Sequence, residues 1–187
     1  MENAKNKVVN FEALYRAMNQ CANGVRWKGG TIRYLQNGLT NTEKLMEELE
    51  NGTYRIGKQI RLKIHEPKER SVVALRFRDR QAQRALLSEY LYDEITRHFI
   101  YDNVACQKGK GTKAAVERLK VMLEKAYRQY GSHYYIHLFD ICQFFGSTPH
   151  SVAKETMGKR IRDPWAAYMV NMLIDSFPRR KRNRPRE

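Results

Sequence analysis

The sequence predicts an α+β fold, rich in helix, with a small antiparallel sheet. Three observations carry that prediction. From Phe11 to Ala22 apolar residues fall at Phe11, Leu14, Tyr15 and Met18, the i, i+3, i+4, i+7 stripe of a helix, and similar stripes return later. Between Tyr54 and His65 the period drops to two, with Ile60, Leu62 and Ile64 alternating against Gln59, Arg61, Lys63 and His65. Finally, Tyr134-Tyr-Ile-His-Leu-Phe139 is an aromatic-rich apolar run of strand length leading into a single carboxylate, Asp140.

Composition narrows the function. Among 187 residues, 35 Lys and Arg stand against 20 Asp and Glu, a net charge of +15. Such an imbalance points to a polyanionic partner. With 42% hydrophobic and 11% aromatic residues the chain is a folded domain rather than a basic tail. Nucleic acid and an anionic membrane are the two polyanions to weigh. No apolar run has membrane-spanning length and Met1-Glu-Asn-Ala-Lys-Asn-Lys7 lacks a signal-peptide core, so nucleic acid is favoured. Cys21, Cys106 and Cys142 are scattered and outside metal-ligand spacing, which fits reduced thiols in a cytosolic protein. The five histidines are dispersed and read as structural rather than as ligands.

Taken in order, the first helix runs from Phe11 to Ala22 and stops at Asn23-Gly24. The stretch from Val25 to Gly38 is basic and glycine-containing, with Trp27 and Tyr34 as its anchors and no assigned structure. Asn41-Thr42 then caps a second helix, with Glu43 at its positive end and Leu45, Met46 and Leu49 inward, until Asn51-Gly52. Tyr54 to His65 is a half-buried strand, Ser71 to Leu75 a second one, and Glu66-Pro-Lys-Glu-Arg70 the turn between them. Lys68 and Arg70 on such a turn make a phosphate clamp, a fork beside a point charge. The other reading is a solvated turn.

Arg78 to Ile100 has helical pattern, with Ala82, Ala85, Leu86, Tyr90 and Ile95 on one face and Arg78, Arg80 and Arg84 on another. That arginine row is either a wet face or a backbone-phosphate contact. Lys108-Gly-Lys110-Gly-Thr112 is a basic glycine loop, not a P-loop, that opens a helix to about Tyr130 with Thr112 as N-cap. Anion contact and a plain capped loop both fit it. Ala115, Leu119, Met122, Leu123 and Ala126 form the inner stripe of this helix, which reads as a support behind the sheet. After Asp140, Ser147-Thr-Pro-His-Ser151 opens a helix through Met157. Asp163-Pro164 starts another, with Trp165, Tyr168, Met169, Met172 and Leu173 inward as far as Phe177. The remainder, 178–187, is a low-complexity basic tail.

A carboxylate at the end of an apolar strand is poorly solvated and needs a cation or a donor to remain ionised. In so basic a chain, a divalent metal carrying phosphates is one candidate. A turn cap or an arginine partner is the other.

Asp140-Ile-x-x-Phe-Phe145-x-Ser-x-x-His150, after an aromatic strand, resembles the first catalytic motif of bacterial reverse transcriptases of the group II intron, retron, diversity-generating and prophage kinds. Upstream, Glu66-Pro-Lys68-Glu-Arg70 through Val72-Val73 to Phe77-Arg78-Asp79-Arg80-Gln-Ala-Gln-Arg84, then Tyr101-Asp-Asn-Val-Ala-Cys106-Gln-Lys108-Gly-Lys110-Gly-Thr112, resemble that family's fingers and palm landmarks in order. The resemblance covers roughly Phe11 to Phe177. It implies an N-terminal helical segment at 1–53, fingers at 54–130 and a partial palm at 131–177. It further implies RNA-directed DNA polymerase chemistry with an RNA template, a DNA primer, a dNTP and Mg²⁺. Asp140 and the Ile141 carbonyl would be metal ligands, Arg70 and Lys68 would hold the triphosphate, and Phe145 would lie under the sugar. Arg78, Arg80, Arg84, Lys108 and Lys110 would meet nucleic acid. The family also uses an aromatic-x-Asp-Asp hairpin, and no Asp-Asp dipeptide occurs here. The expectation is therefore an incomplete palm that binds nucleic acid without polymerising alone, with sheet edges open to self-association. A non-catalytic binding module of the same ancestry is the alternative.

Overall fold

The structure, a computed structural model, describes residues 3–65, 67, 69–141 and 144–178; Arg70, Phe145 and Gly146 are described by backbone alone. It has the expected class, many helices and one two-stranded antiparallel sheet. The helices are α1 (Ala4–Val8), α2 (Phe11–Ala22), α3 (Gly29–Gln36), α4 (Gly38–Glu50), α5 (Phe77–Leu86), α6 (Tyr92–Thr96), α7 (Thr112–Tyr130), α8 (Phe144–Ser147), α9 (His150–Gly158) and α10 (Pro164–Ser176). The strands are β1 (Ile60–Ile64) and β2 (Arg70–Ala74). The chain divides into two compact units, Met1–Glu94 with Thr148–Glu187, and Ile95–Ser147.

In the first unit the core forms where α2 lies against α4 and α5. Asn10 caps α2 by accepting the Ala13 amide at 2.8 Å, and the helix buries Ala13, Leu14, Ala17 and Met18. Leu45 and Leu49 of α4 and Ala82, Ala85 and Leu86 of α5 complete the apolar interior. Gln81 sits fully buried at its centre. Its amide nitrogen donates to the Leu14 carbonyl and to Thr42 Oγ1, both at 3.0 Å, and its oxygen accepts the Tyr34 hydroxyl at 2.7 Å. One amide thus joins α2, α3, α4 and α5, and a buried polar group is tolerated because it is satisfied.

That network explains a correction. Thr42 is not an N-cap: α4 begins four residues earlier, and the Thr42 hydroxyl donates back to the Gly38 carbonyl at 2.7 Å while accepting from Gln81. Tyr34 is an anchor as expected, its ring 4.7 Å from that of Phe77, and the unassigned stretch contains α3. Trp27 is no anchor, being 75% exposed.

The hairpin is antiparallel with Ile64 opposite Arg70 and Ile60 opposite Ala74. The strand begins at Ile60 rather than at Tyr54, because residues 54–59 are held elsewhere. Tyr54 is buried with its hydroxyl on Asp79, and Arg76 Nε donates to the Lys58 carbonyl at 2.9 Å. Nor is β1 half-buried: Ile60, Leu62 and Ile64 are all exposed, since nothing described covers that face.

The helical stretch after β2 is not one α-helix. A π-helical turn, Leu87–Leu91, separates α5 from α6. At the far end of the unit, Asp163 caps α10 as expected, accepting the Ala166 amide at 2.9 Å, with Pro164 in the first turn. Its second oxygen accepts the Ala4 amide at 3.1 Å, so one carboxylate serves the N-termini of α10 and α1. Ala166, Met169 and Val170 are buried, whereas Tyr168, expected inward, is exposed. Ser147 ends α8 instead of opening the next helix; α9 starts at His150 with Pro149 at its cap.

The second unit departs furthest from the expectation. Gly111, not Thr112, is the N-cap of α7. The helix reaches Tyr130 as expected but buries no residue, and Leu119 and Met122 of its intended inner stripe are exposed. The strand expected over Tyr134–Phe139 is absent: 133–141 carries no regular secondary structure, with Tyr135, Leu138 and Phe139 more than nine-tenths exposed. A strand needs a neighbour to take up its amides and carbonyls. Among the described residues only β1 and β2 pair, so this run has no ladder and its own unit contains no sheet.

Candidate nucleic-acid interface

The hairpin and the start of α5 owe their positions to Asp79, which is 1% exposed. One oxygen accepts the Tyr54 hydroxyl at 2.9 Å and the other the Gly57 amide at 3.0 Å. A Cβ at Gly57 would stand 3.3 Å from Asp79 Oδ2, which fits glycine at this approach. Arg78 closes the arrangement. Its guanidinium lies 5.1 Å above the Tyr54 ring, pairs with Glu48 at 2.7 Å, bonds the Arg55 carbonyl and reaches Asp79 at 3.3 Å. Burial above all, and then the Asp79 charge, push the Tyr54 phenol far above the ordinary tyrosine value. Burial does the same to Tyr34.

The α5 arginines therefore differ. Arg78 has its donors committed to the fold. Arg80 is half-buried, 5.1 Å over the Phe77 ring, and its Nε has no hydrogen-bond partner. Arg84 is exposed beside Cys21. Burial raises the Cys21 thiol against the pull of Arg80 and Arg84, and its Sγ donates to the Arg80 carbonyl at 3.4 Å.

At the foot of the hairpin lies an open cleft lined by Ile56, Gly57, Lys58, Gln59, Arg61 and Ser176. Gln59 Nε2 donates to Ser176 Oγ across it at 3.2 Å. Two cations and no carboxylate line this cleft, and neither Lys58 nor Arg61 enters an ion pair among the described residues. On the hairpin itself, Lys63 pairs with Glu69 at 3.2 Å. Arg70 occupies the first position of β2, opposite Ile64. Its side chain, Lys68 and the phosphate clamp expected of them lie outside the described residues, as do Cys142, the Phe145 side chain and 179–187 of the basic tail.

In the second unit, Lys110 folds back on its own loop. Its Nζ donates to the Tyr101 carbonyl at 2.7 Å and stands 4.9 Å from the Tyr101 ring, with Arg118 at 5.3 Å from the same ring. Arg118 grips Asp102 through Nε and Nη2 and holds that carboxyl below the usual carboxylate range. Lys108 is exposed on the same loop.

Asp140 and Ile141 are exposed in the irregular segment, not buried at a strand end. Among the described residues no three His, Cys, Asp or Glu side chains stand together as a metal site. Mg²⁺ takes a near-octahedral oxygen shell. One aspartate and one carbonyl do not by themselves make up that shell.

Sequence reasoning named the cations but missed what fixes their surroundings. Asp79, Gln81 and Glu48 stood in helical pattern with no sign of burial. The Lys58 and Arg61 cleft could not be read because Ser176, which completes it, is 117 residues from its partner Gln59. No described helix is long and apolar enough to cross a membrane. Neither the models of protein families nor the curated proteins contain a match to this chain.

Proposed function

We propose that this chain is a nucleic-acid-binding module with the organisation of the fingers and first palm segment of an RNA-directed DNA polymerase. The observation that carries the binding half is the cleft at the foot of the hairpin. Lys58 and Arg61 line it, no lining residue is acidic, and the chain carries a net charge of +15. Unpaired cations in a polar recess suit a phosphate backbone, whose counterions are released when it binds. The polymerase half rests on the order of the motifs from Lys68 and Arg70 to Asp140 and Phe145. In that reading RNA template, DNA primer and dNTP are the ligands. Asp140 and the Ile141 carbonyl supply part of a Mg²⁺ shell once further carboxylates are brought to them. No bond-making step is assigned to the chain alone.

A second reading, a binding module with no catalytic part, is favoured by the exposure of Asp140 in an irregular segment. One experiment separates the two. Template–primer binding is followed across a salt series, with and without Mg²⁺ and a dNTP, for the wild type and Asp140→Ala. Steep salt dependence is expected for both proteins. Metal-dependent nucleotide binding lost in Asp140→Ala supports the polymerase reading, and its absence supports the module. Salt-independent or undetectable binding overturns both, and primer extension by the chain alone overturns the assignment of binding without polymerisation.

A further inference from the structure

The side chain that departs most from its expected place is Trp27. It stands in the turn between α2 and α3, three quarters exposed. It is nonetheless held. The indole Nε1 donates to the Gly24 carbonyl at 3.2 Å, and Gly24 adopts φ +72°, a conformation suited to glycine. The turn is bonded through Val25 N to Ala22 O at 3.0 Å and Lys28 N to Val25 O at 3.1 Å. Lys28 Nζ lies 5.4 Å from the ring centroid. A large aromatic face is thus fixed in orientation and turned to solvent.

The stretch of chain that carries it is one-sided in charge. No Asp or Glu occurs between Glu12 and Glu43, whereas Arg16, Arg26, Lys28 and Arg33 do. Arg16 is paired with Glu12 and Glu89. Arg26 meets only the neutral Asn19 oxygen at 3.2 Å, and neither Lys28 nor Arg33 forms an ion pair among the described residues.

We infer that Trp27 is a stacking platform for an unpaired base of single-stranded nucleic acid, with Arg26, Lys28 and Arg33 serving the flanking phosphates. An exposed aromatic face beside a lysine, in a basic stretch of chain without carboxylates, suits single strands held by stacking and charge without reading of their sequence. The inference rests on the nucleic-acid reading above and adds a place and a strand state to it. An anionic membrane would also attract an exposed tryptophan among cations. Here, however, the indole N–H is taken by Gly24 and not left for a headgroup, and α3 has only 8 residues.

The chain has two tryptophans, so Trp165→Phe leaves Trp27 as the sole tryptophan, read by excitation beyond the tyrosine absorption. This protein is titrated with a short oligothymidylate and with an abasic strand of equal length and charge. Quenching by the first and not by the second is expected. In the otherwise native chain, Trp27→Ala should lose about tenfold in affinity for the oligothymidylate while its affinity for the abasic strand stays the same. If Trp165→Phe does not fold, the difference between wild type and Trp27→Phe gives the share of Trp27 in the quenching. Equal quenching by both strands, or unchanged affinity in Trp27→Ala, overturns the platform and leaves the nucleic-acid reading standing. A blue shift on phosphatidylserine vesicles without oligonucleotide quenching overturns it in favour of a membrane. No binding of either strand at low salt overturns both readings.

Discussion

Tyr54 donates its hydroxyl to Asp79 at 2.9 Å, inside a pocket where the carboxylate is 1% exposed. This bond fixes the approach to the hairpin against the first turn of α5. Replacing Tyr54 by Phe removes one of the partners of a buried charge. We expect a loss of about 1–3 kcal/mol, read as a lower urea midpoint. Asp79→Ala should cost more, because it releases both the tyrosine and the Gly57 amide.

The same pair sets a pH dependence. Folding raises the Tyr54 phenol above its ordinary 10.0, so the folded state favours the neutral form. The contribution is fully present below that ordinary value and declines as pH rises toward the folded one. Urea midpoints taken from pH 8 upward should show the gap between wild type and Tyr54→Phe narrowing beyond about pH 10.

Gln81 makes three side-chain hydrogen bonds at a buried site, so Gln81→Leu preserves bulk and strands polar groups on three helices. Leaving the Tyr34 hydroxyl and its neighbours unpaired should cost about 2–4 kcal/mol. At roughly 2–4 °C per kcal/mol for a chain of this size, calorimetry should record a clear drop in Tm.

What the sequence made legible was local. The stripe of α2, the Asp163-Pro164 start of α10 and the turn that pairs Ile64 with Arg70 each depend on residues a few positions apart. Tyr134–Asp140 misled because strand composition is only half of a strand; the other half is a neighbouring chain segment, and none described supplies it. Trp27 misled in the same way, since whether an indole is covered depends on segments distant in sequence. Of the candidate site, the cations Arg78, Arg80 and Arg84 were visible. The distinction between Arg78, bound to Glu48 and Tyr54, and its neighbours required the fold.

That distinction gives a further prediction. Lys58→Ala with Arg61→Ala should weaken nucleic-acid binding and lower the slope of log K against log salt by about two, with stability unchanged. Arg78→Ala should do the reverse, lowering the urea midpoint and leaving the salt slope in place, because Glu48 and Asp79 lose the cation they share. Filter binding and denaturation on the same preparations decide it.

The amide of Ala4 is answered by the carboxylate of Asp163, 159 residues away. On a ribosome adding roughly 5–20 residues per second, α1 emerges some ten to thirty seconds before the group that completes its first turn. During that interval Ala4 and Val8, both buried in the finished protein, have no α10 to meet. Synthesis thus makes α1 well before α10, the segment that meets it, and leaves α1 open to a chaperone or a protease during that interval.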